Sequence, residues 1–256
     1  MKLHSNIIGE GDPFLILHGF LGMGDNWKTL GKKYSELGYQ VHMIDQRNHG
    51  RSPHSDQFSY QHLSDDLLEY CNTHQLSSII LLGHSMGGKT AMHFACEHSH
   101  LVAKLIIADI APKYYAPHHQ DILDSLLALD FSEITSRTDA ETILKQYIKD
   151  TGTRLFLLKN LYRKSKTEFD LRINLKILNQ KVHEIGKALD NTAFFNGETL
   201  FLSGENSNYI LANDSTLIKT HFPNSQVQEI SKSGHWLHAE NPVDFFNYSS
   251  KFIKTP

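Results

Sequence analysis

Short, continuous apolar bursts separated by amphipathic stretches set the rhythm of the chain. The bursts fall at residues 14–17, 41–44, 79–82, 104–108, 199–202 and 227–230. They are too short for buried helices, and most run apolar without alternating. That pattern predicts strands covered on both faces of a parallel sheet. Between them, 63–74 and 86–97 repeat apolar residues at helical spacing. Strands alternating with helices predict an α/β fold with a mostly parallel central sheet and helices on both faces.

The rhythm breaks between Lys113 and Asn196, where no strand-like burst stands out. Helical patterns take over. Thr138 with Glu141 reads as a capping box ahead of Ile143, Leu144, Tyr147 and Ile148 on one face. Residues 155–158 and 171–178 are further helical candidates. The expected organisation is a core domain over 1–112 and 197–256, interrupted by a helical lid insertion over 113–196. The last helix is well marked: Asn241 as N-cap, Pro242 at the first helical position, then Val243, Phe245, Phe246 and Phe252.

Composition changes this picture little but excludes much. A chain of 256 residues should expose roughly 11,000–12,000 Å² when folded. Hydrophobic content of 40% and charged content of 21% are ordinary globular values, which argues against disorder, collagen or coiled coil. Twenty-five basic against 28 acidic residues leave a net charge of -3, so no broad cationic surface for nucleic acid is expected. Cys71 and Cys96 share no CxxC spacing, which speaks against structural zinc and a disulfide framework. Residues 1–11 lack an apolar signal-like core and no run reaches 18 apolar residues, so neither secretion nor membrane insertion is expected and a cytoplasmic protein is. The 17 histidines can mostly serve as surface or turn residues, while some could titrate near neutrality.

The chemistry begins at Gly83-His84-Ser85-Met86-Gly87. A strand pattern ends just before it and a helical pattern starts just after it. A serine on such a strand–turn–helix elbow projects its hydroxyl from a strained turn, and glycines on either side let backbones pass. The helix N-terminus supplies free N–H groups to a developing oxyanion. His18-Gly19-Phe20 follows the first buried strand and suits the other half of that hole, with the amides of Phe20 and Met86 as donors. Gly234-His235-Trp236 lies on the loop after the final strand, where a base for Ser85 belongs. His238 reads as a rim or structural residue. Lys89, one helical turn beyond Ser85, is aimed away from it and is not expected to act as a base.

These words together resemble the α/β-hydrolases, over nearly the whole chain. Arg47-Asn48-His49-Gly50, Gly88-Lys89, Asp109-Ile110-Ala111-Pro112 and Gly234-His235-Trp236-Leu237-His238 resemble, more closely, the small bacterial YbfF-like esterases and their mitochondrial relatives, the α/β-hydrolase domain protein 11 group. In the general family the triad acid follows the next-to-last strand, but this chain has Ser207 there, with Glu205 nearby and Asp214 further on. Asp109 ends the preceding strand instead, where sites of open α/β sheets gather. The resemblance agrees with an aspartate there, and Glu205 stands as the competing carboxylate. Arg47 and Asn48 are expected to brace loops rather than touch substrate.

The expected catalytic set is therefore Ser85, His235 and Asp109. His18, Gly19, Tyr114, Tyr115, Phe156, Leu157 and Trp236 are candidate pocket residues beneath the insertion. The resemblance implies hydrolysis of carboxylic esters or acyl thioesters, including acyl-CoA. Arg163, Lys164 and Lys166 are candidate phosphate contacts for CoA, though such a charge run is usually a solvated face. A small-molecule ester or thioester is the expected partner, with no metal or organic cofactor. A carbon–carbon bond hydrolase or lyase on the same scaffold, and a non-catalytic ligand-binding module, remain the alternatives.

Overall fold

The structure is a computed structural model that describes residues 1–166 and 168–254. In chain order the elements are β1 (Ser5–Ile8), β2 (Asp12–Leu17), α1 (Lys28–Ser35), β3 (Tyr39–Ile44), α2 (Tyr60–Thr73), β4 (Ile79–His84), α3 (Met86–Glu97) and β5 (Val102–Ala108). Then come α4 (Gln120–Leu127), α5 (Arg137–Tyr147), α6 (Thr151–Leu158), β6 (Leu161–Arg163), β7 (Phe169–Leu171), α7 (Leu175–Gln180) and α8 (Val182–Ile185). The chain closes with β8 (Glu198–Gly204), α9 (Ser215–His221), β9 (Ser225–Ile230), α10 (Leu237–Glu240) and α11 (Pro242–Lys254).

The main sheet has the order β1-β3-β2-β4-β5-β8-β9, and only β1 runs antiparallel. Successive side chains of a strand point to opposite faces, and the core divides accordingly. Leu15, Leu17, Leu81, Leu105 and Ile107 pack beneath α2 and α3. Phe14, Ile16, Leu82, Ile106 and Ala108 pack beneath α1 and α11. Both faces need apolar residues, which is why the strands read as unbroken bursts. The accessible surface is 11706 Å², as the chain length predicts.

Six strand expectations correspond to β2, β3, β4, β5, β8 and β9. β1 was not anticipated. It is a half-buried edge strand whose Ser5 and Asn6 dilute any apolar signal. Two three-residue strands, β6 and β7, form a hairpin inside 113–196, where only helices were expected. The 171–178 helical candidate is corrected as well: Leu171 ends β7 and the helix starts at Leu175. In α5 the capping box is Ser136 with Asp139 rather than Thr138 with Glu141. Ser136 has extended backbone and accepts from the Asp139 amide, so the helix starts two residues earlier than the pattern implied. Leu144 is buried while Tyr147 turns to solvent. At α11, Asn241 Oδ1 accepts from the Asp244 amide at 3.2 Å, as an N-cap does.

Between β5 and β8, α4 to α8 share an apolar cluster with Phe20, Leu21, Phe58, Tyr60 and Met86 of the surrounding scaffold. The segments that enter and leave this insertion are bonded to each other. Tyr115 N donates to Gly186 O at 2.8 Å, and Leu189 N to Pro112 O at 2.9 Å. No helix among the described residues is long and apolar enough to cross a membrane.

Candidate active site

Strand order reverses beside β2: β3 lies on one side of it and β4 on the other. Crevices open at the carboxyl ends of strands at such a switch point, and the two central loops of the site leave β2 and β4 there. Ser85 sits between β4 and α3 with φ 53° and ψ -117°, a conformation that costs of order 1–3 kcal/mol. Glycine at 87 makes the turn possible, because a Cβ there would stand 2.4 Å from the Leu17 carbonyl oxygen.

The Ser85 hydroxyl lies 3.0 Å from Nε2 of His235, and Nδ1 of His235 lies 2.8 Å from Oδ2 of Asp109. A carboxylate only accepts, so Nδ1 carries the proton and Nε2 offers its lone pair to Ser85. That is the tautomer a general base needs. Asp109 is fully buried and has φ 49°. Its amide bonds to Leu202 O at 2.8 Å, and its Oδ1 accepts from the Gly204 amide at 3.1 Å. β5 and β8 therefore aim this carboxylate jointly. Glu205 faces elsewhere, accepting from the Lys232 amide at 2.6 Å. Asp214 pairs with Lys113 at 2.5 Å.

The His18–Phe20 turn lies against Ser85: a Cβ on Gly19 would come 3.4 Å from the Ser85 Cβ. The Phe20 amide has no hydrogen-bond partner among the described residues. Met86 opens α3, where an amide has no intrahelical acceptor. These are the two donors expected for an oxyanion. His18 and His49 support the turn as neutral rings. His18 Nδ1 donates to Gly19 O and its Nε2 accepts from the Gln46 amide. His49 Nδ1 donates to Arg47 O and its Nε2 accepts from the Leu21 amide. Burial pushes His18 down to about 4 and His49 to about 3.

Arg47 forks onto Asp66 at 2.6 and 2.9 Å. The Asn48 carbonyl accepts from the Asn174 amide of the insertion at 2.9 Å. Both residues brace loops, as expected of them. Lys89 points away from Ser85 and donates to the carbonyls of Lys113 and Lys187 at 2.5 and 2.7 Å. His238 is stacked on Trp27 with ring centroids 4.2 Å apart, and burial pushes it down to about 3.

Ser85 and His235 open into a cavity of 610 Å³ whose wall includes His18, Gly19, Phe20, Phe156, Leu157 and Trp236. Tyr114 corrects the expectation. It is 60% exposed and does not line the cavity. The Tyr115 hydroxyl accepts from the Ala111 amide at 2.8 Å and donates to the Tyr209 carbonyl, so Tyr115 takes the inward side and its neighbour faces solvent. Tyr115 lines a smaller hollow that shares Ser85, His118, His119 and Tyr209 with the main cavity. Arg163, Lys164 and Lys166 also lie away from the cavity. Arg163 covers the Phe169 ring and Lys164 pairs with Asp170.

Sequence reasoning missed His84, His119 and Tyr209. His84 stood in the variable position of the serine motif; its Nε2 donates to the His235 carbonyl at 2.8 Å. His119 packs edge-on against Phe20, with centroids 5.1 Å apart, and its ring makes no hydrogen bond among the described residues. Burial, with His118 and His235 nearby, pushes it down to about 3. Tyr209 lies in an irregular loop that offers no periodicity to read. Among the described residues no cluster of histidine, cysteine and carboxylate groups is arranged to hold a metal ion.

A family model for the alpha/beta hydrolase fold matches residues 12–242. The sn-1-specific diacylglycerol lipase ABHD11 of Danio rerio is 33% identical over 96% of this chain and 80% of its own. Esterase YbfF of Escherichia coli is 30% identical over 91% of this chain and 89% of its own. The solved structure of a marine microorganism esterase is 40% identical, covers 98% of this chain and 99% of that one, and superposes with a TM-score of 0.95.

Proposed function

The chain belongs to the α/β-hydrolase family as a carboxylesterase-type hydrolase, and from that premise we propose that it cleaves small-molecule carboxylic esters through an acyl-enzyme on Ser85. The observation that carries the reading is the relay of 3.0 and 2.8 Å from Ser85 through His235 to Asp109, set on the wall of an apolar cavity. His235 Nε2 takes the Ser85 proton as Oγ attacks the ester carbonyl. The negative charge then forms on the former carbonyl oxygen, beside the Phe20 and Met86 amides, and such a donor contributes about 3–4 kcal/mol to the transition state. Imidazolium returns the proton to the departing alcohol. Water, activated by the same base, releases the acid. Asp109 keeps the tautomer and offsets the imidazolium charge without taking its proton.

The cavity walls favour an acyl chain over a charged substrate. His119 offers the substrate a neutral ring with one donor and one acceptor, since no group among the described residues uses them. A thioester would meet the same nucleophile. For acyl-CoA the support is weaker: Lys159 is the lysine on the cavity wall, and Asp150 and Glu240 share that wall with it. Two carboxylates oppose a polyphosphate.

Hydrolysis of p-nitrophenyl esters from C2 to C16 by the native protein and by Ser85→Ala tests the reading, alongside fluorophosphonate labelling. Ser85-dependent turnover with labelling of Ser85 is expected. Labelling without ester turnover would favour a carbon–carbon bond hydrolase on this scaffold. Neither labelling nor turnover would favour a ligand-binding module.

A further inference from the structure

Tyr209 lies flat on His235. The ring centroids are 3.8 Å apart and the planes differ by 13°. Tyr209 is in turn held at three points. Its hydroxyl lies 2.5 Å from Nε2 of His118, its carbonyl accepts from the Tyr115 hydroxyl at 2.5 Å, and its amide donates to Ser207 Oγ at 3.3 Å. His118 Nδ1 lies 3.0 Å from the Ala116 carbonyl, which only accepts. In the neutral ring Nε2 therefore carries the lone pair, and the Tyr209 hydroxyl donates to it. Two of the three anchors, His118 and Tyr115, belong to the segment that enters the insertion. The third, Ser207, also bonds to Asp109.

An imidazole must keep its plane for Nδ1 to face Asp109 while Nε2 faces Ser85. Rotation of the ring breaks both bonds at once. A flat aromatic partner resists that rotation by packing alone, without drawing on either ring nitrogen. We propose that Tyr209 is a positioning residue for His235, and that His118 fixes Tyr209 so that seating of the insertion is transmitted to the alignment of the base. This rests on the reading of His235 as the base of an ester hydrolase.

The test compares Tyr209→Leu, Tyr209→Phe, His118→Ala and the double variant Tyr209→Phe/His118→Ala. Losing the stack in Tyr209→Leu should lower kcat by roughly ten- to a hundredfold, the range of a small misplacement of a catalytic group, with KM within about twofold. Tyr209→Phe keeps the stack and loses only the tie to His118. It should lose about three- to fivefold in kcat, the scale of one net hydrogen bond. His118→Ala should match it, and the double variant should lose no more than either single, because both remove one bond. The downfield proton resonance of His235 Nδ1 supplies a readout without turnover. It should be present in the native protein and in Tyr209→Phe, and broadened or lost in Tyr209→Leu at unchanged melting temperature. Native kcat and an intact resonance in Tyr209→Leu would overturn the proposal, as would additive losses in the double variant. A native protein that shows the resonance but hydrolyses no ester would defeat the functional reading while the resonance series still decides the role of Tyr209.

Discussion

Ser207 donates its hydroxyl to Oδ2 of Asp109, the same oxygen that receives the Nδ1 proton of His235. Position 207 is where the general α/β-hydrolase pattern places its acid. Here that position supplies a hydrogen bond to Asp109, the carboxylate we propose as the acid, at the end of β5. The serine, the Gly204 amide and His235 give the buried carboxylate three donors, which is how a charge in a dry interior is kept.

Asp109→Asn should therefore lower kcat by about 10³–10⁴-fold without unfolding the protein, because the amide presents the wrong group to Nδ1. Ser207→Ala removes one of three donors and should cost roughly ten- to a hundredfold, the scale of a bond to a charged group. Glu205→Gln should stay near native, since Glu205 holds the Lys232 amide. Steady-state kinetics on a short p-nitrophenyl ester decide it, and loss of activity in Glu205→Gln with retention in Asp109→Asn would reverse the assignment.

Legibility followed burial for the central strands, while the mostly exposed edge strand β9 was found from Val227 and Ile230. Strands buried on both faces announced themselves as apolar runs, and with them the ends that carry Ser85, Asp109 and the turn at His18. β1, β6 and β7 run for only three or four residues and include polar positions, too short for a strand signal to stand out. Motif words located the relay because its chemistry demands particular residue types on particular turns. The cavity wall was less legible. Tyr114 and Tyr115 are neighbours of the same type, and long-range bonds of the Tyr115 amide to Gly186 and of its hydroxyl to Tyr209 hold Tyr115 inward. Tyr209 gains its place from contacts between the insertion and the loop after β8, and His119 from its packing on Phe20 after β2, which no local pattern encodes.

The two candidate histidines of the 235–238 segment should separate by kind of damage. His235→Ala removes the base and should abolish turnover to within a residual about 10³–10⁴-fold above water. His238→Ala removes a half-buried ring stacked on buried Trp27 and beside His84, at the edge of the cavity. It should cost about 1–3 kcal/mol of stability, as core truncations do, while kcat falls far less. Denaturant midpoints read beside kcat distinguish the two, and a base role for His238 would show as catalytic loss without a shift in midpoint.

Lys89 predicts a pH dependence of stability. Burial, with Lys113 nearby, pushes its ammonium down to about 7 from an ordinary 10.5. Between those values the unfolded chain binds a proton that the folded chain does not. Raising the pH across this window therefore favours the folded state. The contribution is full above about 10.5 and is lost as pH falls to about 7. A neutral amine still has two N–H groups for the carbonyls of Lys113 and Lys187. Urea unfolding of native protein and Lys89→Met across this range should differ by a slope of up to about 1.4 kcal/mol per pH unit. Parallel curves would show that Lys89 keeps its charge when buried.

If the cavity takes the acyl chain as proposed, its depth rests on a contact between the insertion and the loop that carries His235. Phe156 of α6 meets Trp236 with ring centroids 5.4 Å apart, and both line the cavity. Trp236 follows His235 directly, so a change there risks moving the base. Phe156 is attached to a different element and can be trimmed without touching the relay. Phe156→Ala adds space at a wall already apolar, and each further buried methylene of an acyl chain gains about 0.8 kcal/mol. The chain-length optimum for p-nitrophenyl esters should therefore move upward by about two to four carbons, through KM on the longer esters rather than kcat on acetate. An optimum that stays in place while kcat on acetate falls would mean that Phe156 seats the base loop instead of bounding the acyl chain.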